Sequence, residues 1–273
     1  THRQQQIRKV GRVLRSCGLN ETMNFSFAAP GDLERIGMGE EGLGCPVILM
    51  NPLVAEQTEM RRSLIPALLQ AVEYNISHST ANVQLYETGT VFIGRENASA
   101  PKERENVAGV MSGAMGDISW IKKPMPLRFF DGKGVVEELL DQMRVPKVRF
   151  RPAEGEGYAF LQPGRCAEVL SGGVVLGWVG EIHPDARDVY GIDIPVVAFE
   201  LNLDALLSVA GSQEAYHESS MTWPSLWTTA SPARTSSVVC AAPAASCWLA
   251  CACSTSTATR SAWARARSPW RSR

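Results

Sequence analysis

Residues 167–179 read A-E-V-L-S-G-G-V-V-L-G-W-V, in which two apolar-rich runs flank Ser171-Gly172-Gly173. Glycine adopts positive φ without steric cost, as the tight turn of a hairpin requires. The stretch therefore predicts an antiparallel hairpin. Runs of alternating or continuous apolar residues predict further strands at 21–27, 47–50, 82–93, 106–112, 147–151 and 196–201.

Apolar residues at spacings of three and four predict three longer helices. One extends over residues 4–17 and ends at Gly18, and another over 132–144 with Asp131 as its cap. The clearest is at 64–74, with Ser63 as its cap and Asn75 as its left-handed end. Its apolar face comprises Leu64, Leu68 and Val72, widened by Ile65 and Leu69. A face this broad belongs either to the core or to an interface with another helix.

Long helices interleaved with antiparallel hairpins predict the fold class, an α+β domain with one antiparallel sheet and flanking helices packed on one face of it. The 273 residues include 27 Lys and Arg against 28 Asp and Glu, a net charge of −1, which argues against nucleic-acid binding driven by bulk charge. The sequence has no apolar run of about 18 residues and no basic-then-apolar leader. We therefore expect a cytoplasmic protein without a membrane span. Because it starts at Thr1, we also expect a piece of a longer protein.

The segment 219–273 differs from the rest in composition. It contains six Arg, no Lys, no Asp or Glu, and five of the seven Trp. Disordered tails are poor in Trp, and folded domains show apolar periodicity, so the segment fits neither. Our hypothesis is that the reading frame slips near residues 218–221. The predicted organisation is then a module over 1–210 followed by a degenerate tail over 211–273.

Catalytic patterns are scarce in this sequence. It contains no phosphate loop, no G-x-S-x-G nucleophile elbow, no dinucleotide fingerprint and no H-E-x-x-H motif. The four histidines are isolated, and the cysteines form neither a disulfide framework nor a zinc pattern with a second pair at a distance. The residues alone therefore predict no catalytic, cofactor-binding or metal-binding position.

Several blocks of sequence carry a family resemblance. Residues 60–69 read M-R-R-S-L-I-P-A-L-L, residues 85–92 read L-Y-E-T-G-T-V-F, and residues 177–184 read G-W-V-G-E-I-H-P. Further blocks are at 51–53, 56–57, 74–75, 104–113, 130–137, 162–168 and 199–204. Each is unspecific alone, but in this order across residues 1–205 they resemble the β subunit of bacterial phenylalanine–tRNA ligase.

The resemblance implies a core like that of a class II aminoacyl-tRNA synthetase, copied from the catalytic core of the α subunit but without its active site. Class II catalysis needs one arginine on a strand near an acid and a second after a glycine-rich strand. Phe150-Arg151…Glu154 superficially resembles the arginine on a strand near an acid. We find no arginine that follows a glycine-rich strand. The implied role is that of a non-catalytic scaffold subunit in an enzyme that attaches phenylalanine to tRNA. ATP and Mg²⁺ would serve the holoenzyme, and this chain would bind neither.

The resemblance also implies an α2β2 assembly with the α subunit and tRNA(Phe). The expected subunit interface comprises Arg61, Arg62, Leu64, Leu68 and Val72. Downstream, the family continues with a ferredoxin-like anticodon-binding domain. Tyr216-His217-Glu218 resembles its first residues, so 219–273 would be its frame-shifted remnant.

Two alternatives stay open. A free-standing class II ligase would have its own active site and would exchange pyrophosphate with ATP in the absence of an α subunit. A bare RNA-binding module would use the basic face of the first helix, and it predicts salt-sensitive tRNA binding. That face comprises Arg8, Lys9, Arg12 and Arg15.

Overall fold

A computed structural model describes residues 1–39, 43–52, 54, 57–80, 82–95, 100–114 and 125–211. The expected frame slip at 218–221 and the tail 219–273 lie outside these residues. The predicted boundary after residue 210 therefore stays a prediction.

The three longer helices predicted from apolar spacing form, and three shorter helices accompany them in the described residues. The helices are α1 (His2–Ser16), α2 (Asp32–Arg35), α3 (Ile65–Ser77), α4 (Phe129–Gln142), α5 (Pro184–Asp188) and α6 (Leu203–Val209). Gly18 follows α1 with a φ of 91°, so the predicted end of that helix is confirmed. No helix in the described ranges is both long and apolar enough to cross a membrane.

The strands of the described residues form two sheets. They are β1 (Asn20–Glu21), β2 (Phe27–Ala28), β3 (Glu59–Met60), β4 (Val83–Ile93), β5 (Lys102–Ser112), β6 (Val148–Pro152), β7 (Leu161–Ser171), β8 (Val174–Ile182) and β9 (Val196–Asn202). The large sheet has the order β1-β4-β5-β9-β8-β7-β6, and β2 pairs with β3. Apart from the parallel pair β1–β4, neighbouring strands are antiparallel. The predicted α+β fold class is confirmed.

Both faces of the large sheet are covered, whereas the sequence predicted helices on one face. Helices α1, α4 and α6 pack on one side, against buried side chains that include Val107 and Phe199. Helices α2 and α3 pack on the other side, against Val110 and Ala198. Because successive strand residues point to opposite faces, the central strands β5 and β9 are apolar on both.

The hairpin predicted at 167–179 is confirmed, with φ of 55° at Gly172 and 95° at Gly173. The single strand predicted at 21–27 is wrong, because only the short β1 and β2 form there. Between them Asn24 turns its side chain to Glu87, with Nδ2 donating to Oε2 at 2.7 Å. The predicted strand at 47–50 is reduced to an isolated bridge from Ile48 to Glu59.

Helix ends differ in detail from the prediction. Helix α3 continues past Asn75, whose Nδ2 donates to the carbonyl of Ala71 at 2.7 Å, and the left-handed residue is Ser79 with a φ of 66°. Asp131 is not the N-cap of α4. It lies in the first turn, where its Oδ2 accepts from the backbone N–H of Arg128 at 2.7 Å.

Candidate functional site

Three consecutive residues before α3 each bind a carboxylate from a different element. Arg61 Nη1 donates to Glu87 Oε1 on β4 at 2.6 Å, and Arg62 Nη2 donates to Glu34 Oε1 on α2 at 2.9 Å. Ser63 Oγ donates to Glu200 Oε2 on β9 at 2.6 Å. The Arg61–Ser63 tripeptide therefore connects the start of α3 to strands β4 and β9 of the large sheet and to α2.

The Arg61 guanidinium is buried among polar groups. Its Nε donates to the carbonyl of Thr90 at 2.9 Å, while Glu87 also accepts from Asn24. Gly89 leaves room for it, because a Cβ at that position would overlap Arg61 Nη2. Both members of the Arg61–Glu87 pair are nearly inaccessible to solvent, so the pair is fully committed within the chain.

Glu200 accepts hydrogen bonds from three uncharged groups. In addition to Ser63 Oγ, the backbone N–H of Leu64 donates at 3.3 Å and Asn106 Nδ2 donates at 2.6 Å. Ser63 Oγ in turn accepts from the N–H of Ile65 at 3.1 Å. Ser63 thus caps α3 from one position before its N-cap residue, Leu64.

The structure places the expected subunit-interface residues inside this chain. Leu64, Leu68 and Val72 are each 0% exposed and pack in the core between α3 and the sheet. Arg61 and Arg62 are buried in the ion pairs described above. The expected interface is corrected accordingly: these side chains are not available to a partner, and of the two meanings left open for the apolar helix face, core is the one observed.

An apolar surface that the sequence interpretation missed lies nearby. Met23 and Phe25 are 94% and 77% exposed, and Ile48 and Met50 are also exposed. Phe27 pairs with Met60, and Glu59 beside it bridges Ile48, so these extended segments are neighbours. We call Met23, Phe25, Phe27, Ile48 and Met50 the apolar ribbon. The signal was the alternation over 21–27, but its polar residue Asn24 faces inward to Glu87, which leaves Met23 and Phe25 in solvent.

A pocket of about 200 Å³ separates the apolar ribbon from the start of α3. Phe25 and Phe27 of the ribbon and Pro66 and Gln70 of α3 are among its lining residues. Asp32 also lines it, and burial raises the pKa of its carboxyl in spite of the nearby Arg35. Because the pocket opens beside exposed aromatic side chains, it could receive a side chain of a bound protein.

The other candidate residues are separate from this surface. Arg151 of the Phe150-Arg151…Glu154 segment lies on the edge strand β6 and pairs with Glu168. On α1, Arg15 pairs with Glu21 at 2.8 Å and Lys9 donates to the carbonyl of Gln142, while Arg8 and Arg12 are exposed. Within the described residues, no group of three or more His, Cys, Asp and Glu side chains could hold a metal ion.

Comparisons with known proteins identify the family to which this chain belongs. Phenylalanine–tRNA ligase β subunits of Geobacter sulfurreducens and Bacillus cereus are 38% and 35% identical over 79% and 83% of this chain. The chain spans about 27% of the length of each. A solved pyrrolysyl-tRNA synthetase from Desulfitobacterium hafniense shares the fold with a TM-score of 0.57 and 16% identity, over 76% of this chain and 72% of that one. The class II synthetase-like fold is thereby confirmed. A family profile described as the phenylalanyl tRNA synthetase beta chain CLM domain matches residues 1–203, and the chain belongs to that family.

Proposed function

We propose that this chain acts as a non-catalytic part of a phenylalanine–tRNA ligase β subunit and docks the α subunit that carries out aminoacylation. The apolar ribbon is the observation that carries the proposal. Burying one large apolar side chain contributes about 1.5–3 kcal/mol, so several exposed together favour a protein partner. The docking surface is the apolar ribbon with its pocket, in place of the buried face of α3.

The state of the arginines supports a non-catalytic role. A class II active site needs guanidinium groups that are free to clamp phosphates. Arg61 and Arg62 are instead bound to Glu87 and Glu34, and Arg151 lies on an edge strand. These three arginines are therefore not free to act as such a clamp, which supports the non-catalytic role. In the proposed assembly, ATP and Mg²⁺ serve the α subunit of a cytoplasmic α2β2 holoenzyme that acts on tRNA(Phe).

Copurification of the full 273-residue chain with the α subunit tests the proposal. Phe25→Ser removes a ribbon side chain that is 77% exposed, and Phe130→Ser removes one on α4 that is 76% exposed. We expect Phe25→Ser to weaken binding of the α subunit about tenfold or more, because truncating a central aromatic at an interface costs about 2 kcal/mol or more. Phe130→Ser should leave the dissociation constant unchanged.

Biolayer interferometry with immobilised α subunit gives the dissociation constants of the Phe25→Ser and Phe130→Ser variants. The proposal is wrong if the wild-type chain does not bind the α subunit, or if the two serine variants weaken binding equally. Pyrophosphate exchange into ATP by this chain alone, in the presence of phenylalanine, would instead establish the free-standing ligase.

A further inference from the structure

A second cavity lies on the α3 side of the large sheet. It is an open cleft of about 440 Å³ between strands β5, β8 and β9 and the segment that leads into β7. Its apolar wall combines aliphatic and aromatic side chains, among them Leu43, Phe160 and Trp178. The rings of Phe160 and Trp178 meet edge to face with centroids 5.0 Å apart. Wall and volume are suited to a small molecule with an apolar group.

Two polar side chains of β5 line this cavity without using all their hydrogen-bonding atoms. Asn106 is 2% exposed, and its Nδ2 donates to Glu200, but its Oδ1 has no partner among the described residues. Arg104 Nε is likewise buried without a partner. Buried polar atoms are otherwise almost always hydrogen-bonded, so a donor and an acceptor left together mark a place where a ligand can bind.

The cavity has a basic side, formed by Arg104, and a side with acceptor oxygens, formed by Asn106 and Glu200. Arg104 is the basic residue of the lining, and it makes no ion pair within the described residues. Of the three acidic lining residues, Glu168 is paired with Arg151, Glu154 makes no ion pair within the described residues, and Glu200 accepts hydrogen bonds from uncharged donors. An anion is thus favoured beside Arg104, and a protonated amine beside Asn106 Oδ1 and Glu200.

Strand geometry places these two sides at a suitable separation. Arg104 and Asn106 are two residues apart on β5 and so project from the same face, about 7 Å apart at their Cα atoms. We propose that this cavity binds a small zwitterion of the size of a free amino acid. Its carboxylate binds Arg104, its amine binds Asn106 Oδ1 beside Glu200, and its apolar group packs on Phe160 and Trp178. The inference does not depend on the docking of an α subunit.

Three probes that share one branched apolar group test the assignment. L-leucine carries both charged groups, 4-methylpentanoate lacks the amine, and 3-methylbutylamine lacks the carboxylate. Isothermal titration calorimetry on the full chain should show tightest binding of L-leucine, with each single-charge probe at least tenfold weaker. A charge-assisted hydrogen bond contributes about 1.5–3 kcal/mol, which is tenfold or more in affinity.

Substitutions on β5 then assign the two ends. Arg104→Met should weaken L-leucine about tenfold or more and leave 3-methylbutylamine unchanged, because only the carboxylate contact is lost. Lys102→Met removes an exposed cation from the same strand, outside the cavity lining, and should change neither affinity. Circular dichroism and thermal midpoints verify that both variants fold. The proposal is overturned if L-leucine does not bind the wild-type chain at millimolar concentration, or if Arg104→Met and Lys102→Met have the same effect.

Discussion

Ser63 and Glu200, 137 positions apart in the sequence, are joined by a hydrogen bond of 2.6 Å from Ser63 Oγ to Glu200 Oε2. Ser63 precedes α3 and Glu200 is on β9, so the bond fixes where the helix begins over the centre of the sheet. Because Glu200 also binds Leu64 N and Asn106 Nδ2, all its donors depend on a carboxylate with two accepting oxygens.

Glu200→Gln should therefore destabilise the fold. The amide has one accepting oxygen and presents an NH₂ to a donor, which leaves at least one buried donor unsatisfied at a cost of about 1–3 kcal/mol. Glu103→Gln, at an exposed position of β5, should stay within about 0.5 kcal/mol of wild type. Urea unfolding measures both. Equal free energies of unfolding for the two variants would mean that the Glu200 contacts contribute nothing.

The Arg61–Glu87 pair should show strong coupling. Removing one partner of a buried ion pair leaves an uncompensated charge, so Arg61→Met should lower the free energy of unfolding by about 3–5 kcal/mol. Adding Glu87→Gln to Arg61→Met removes that charge and should recover part of the loss. A double-mutant cycle from denaturant unfolding gives the coupling energy. Additive effects of the two substitutions would contradict the pairing.

Two glycines of α4 should respond to alanine in opposite directions. A Cβ at Gly132 would overlap Val197 Cγ1 on β9, so Gly132→Ala should destabilise the packing of α4 on the sheet. A Cβ at Gly134 meets nothing within 4 Å, so Gly134→Ala should gain about 0.5–1 kcal/mol from helix propensity. Thermal unfolding of the two variants checks the signs. A gain at both positions would show that α4 does not approach β9 closely.

The carboxyls of α2 should give opposite pH dependences. Burial raises the pKa of Asp32, so the folded chain holds this proton more tightly than the unfolded chain, and the stability contributed by Asp32 falls as pH rises from about 4 through the raised pKa. Relative to wild type, Asp32→Asn should therefore become more stable with rising pH. The pKa of Glu34 is lowered by its own backbone N–H and then by Arg62. The loss of stability of Glu34→Gln relative to wild type should therefore be largest near neutral pH.

Urea midpoints between pH 3 and 7 measure these two dependences. The Glu34→Gln deficit should shrink as the pH falls through the lowered pKa, since the wild-type carboxylate then takes up its proton. Parallel curves for Asp32→Asn and Glu34→Gln would contradict the opposite directions of the two pKa shifts.

The sequence predicted elements whose signal is local. The 167–179 hairpin follows from Gly172-Gly173, and α1 and α3 follow from apolar spacing. It did not predict what covers an apolar face, because a helix such as α3 has the same spacing whether it packs on its own sheet or on another chain. The spacing left both meanings open for Leu64, Leu68 and Val72, and the family resemblance then led us to expect an interface.

No local sequence pattern predicts the exposure of the apolar ribbon or the unsatisfied polar atoms of the second cavity. Alternation over 21–27 indicates two faces, but which one is buried depends on Glu87, more than 60 residues away, which binds Asn24. Likewise, the unsatisfied atoms of Arg104 and Asn106 become evident only when every neighbouring strand is in place. Tertiary contacts, rather than propensity, decide these positions.

The position of β9 between β5 and β8 determines when the large sheet can be completed during synthesis. Both hairpins, β4–β5 and β7–β8, leave the ribosome before β9, and neither can join the other until that strand has been synthesised. The nascent chain therefore holds two unfinished half-sheets whose open edges can pair with other chains until β9 closes them.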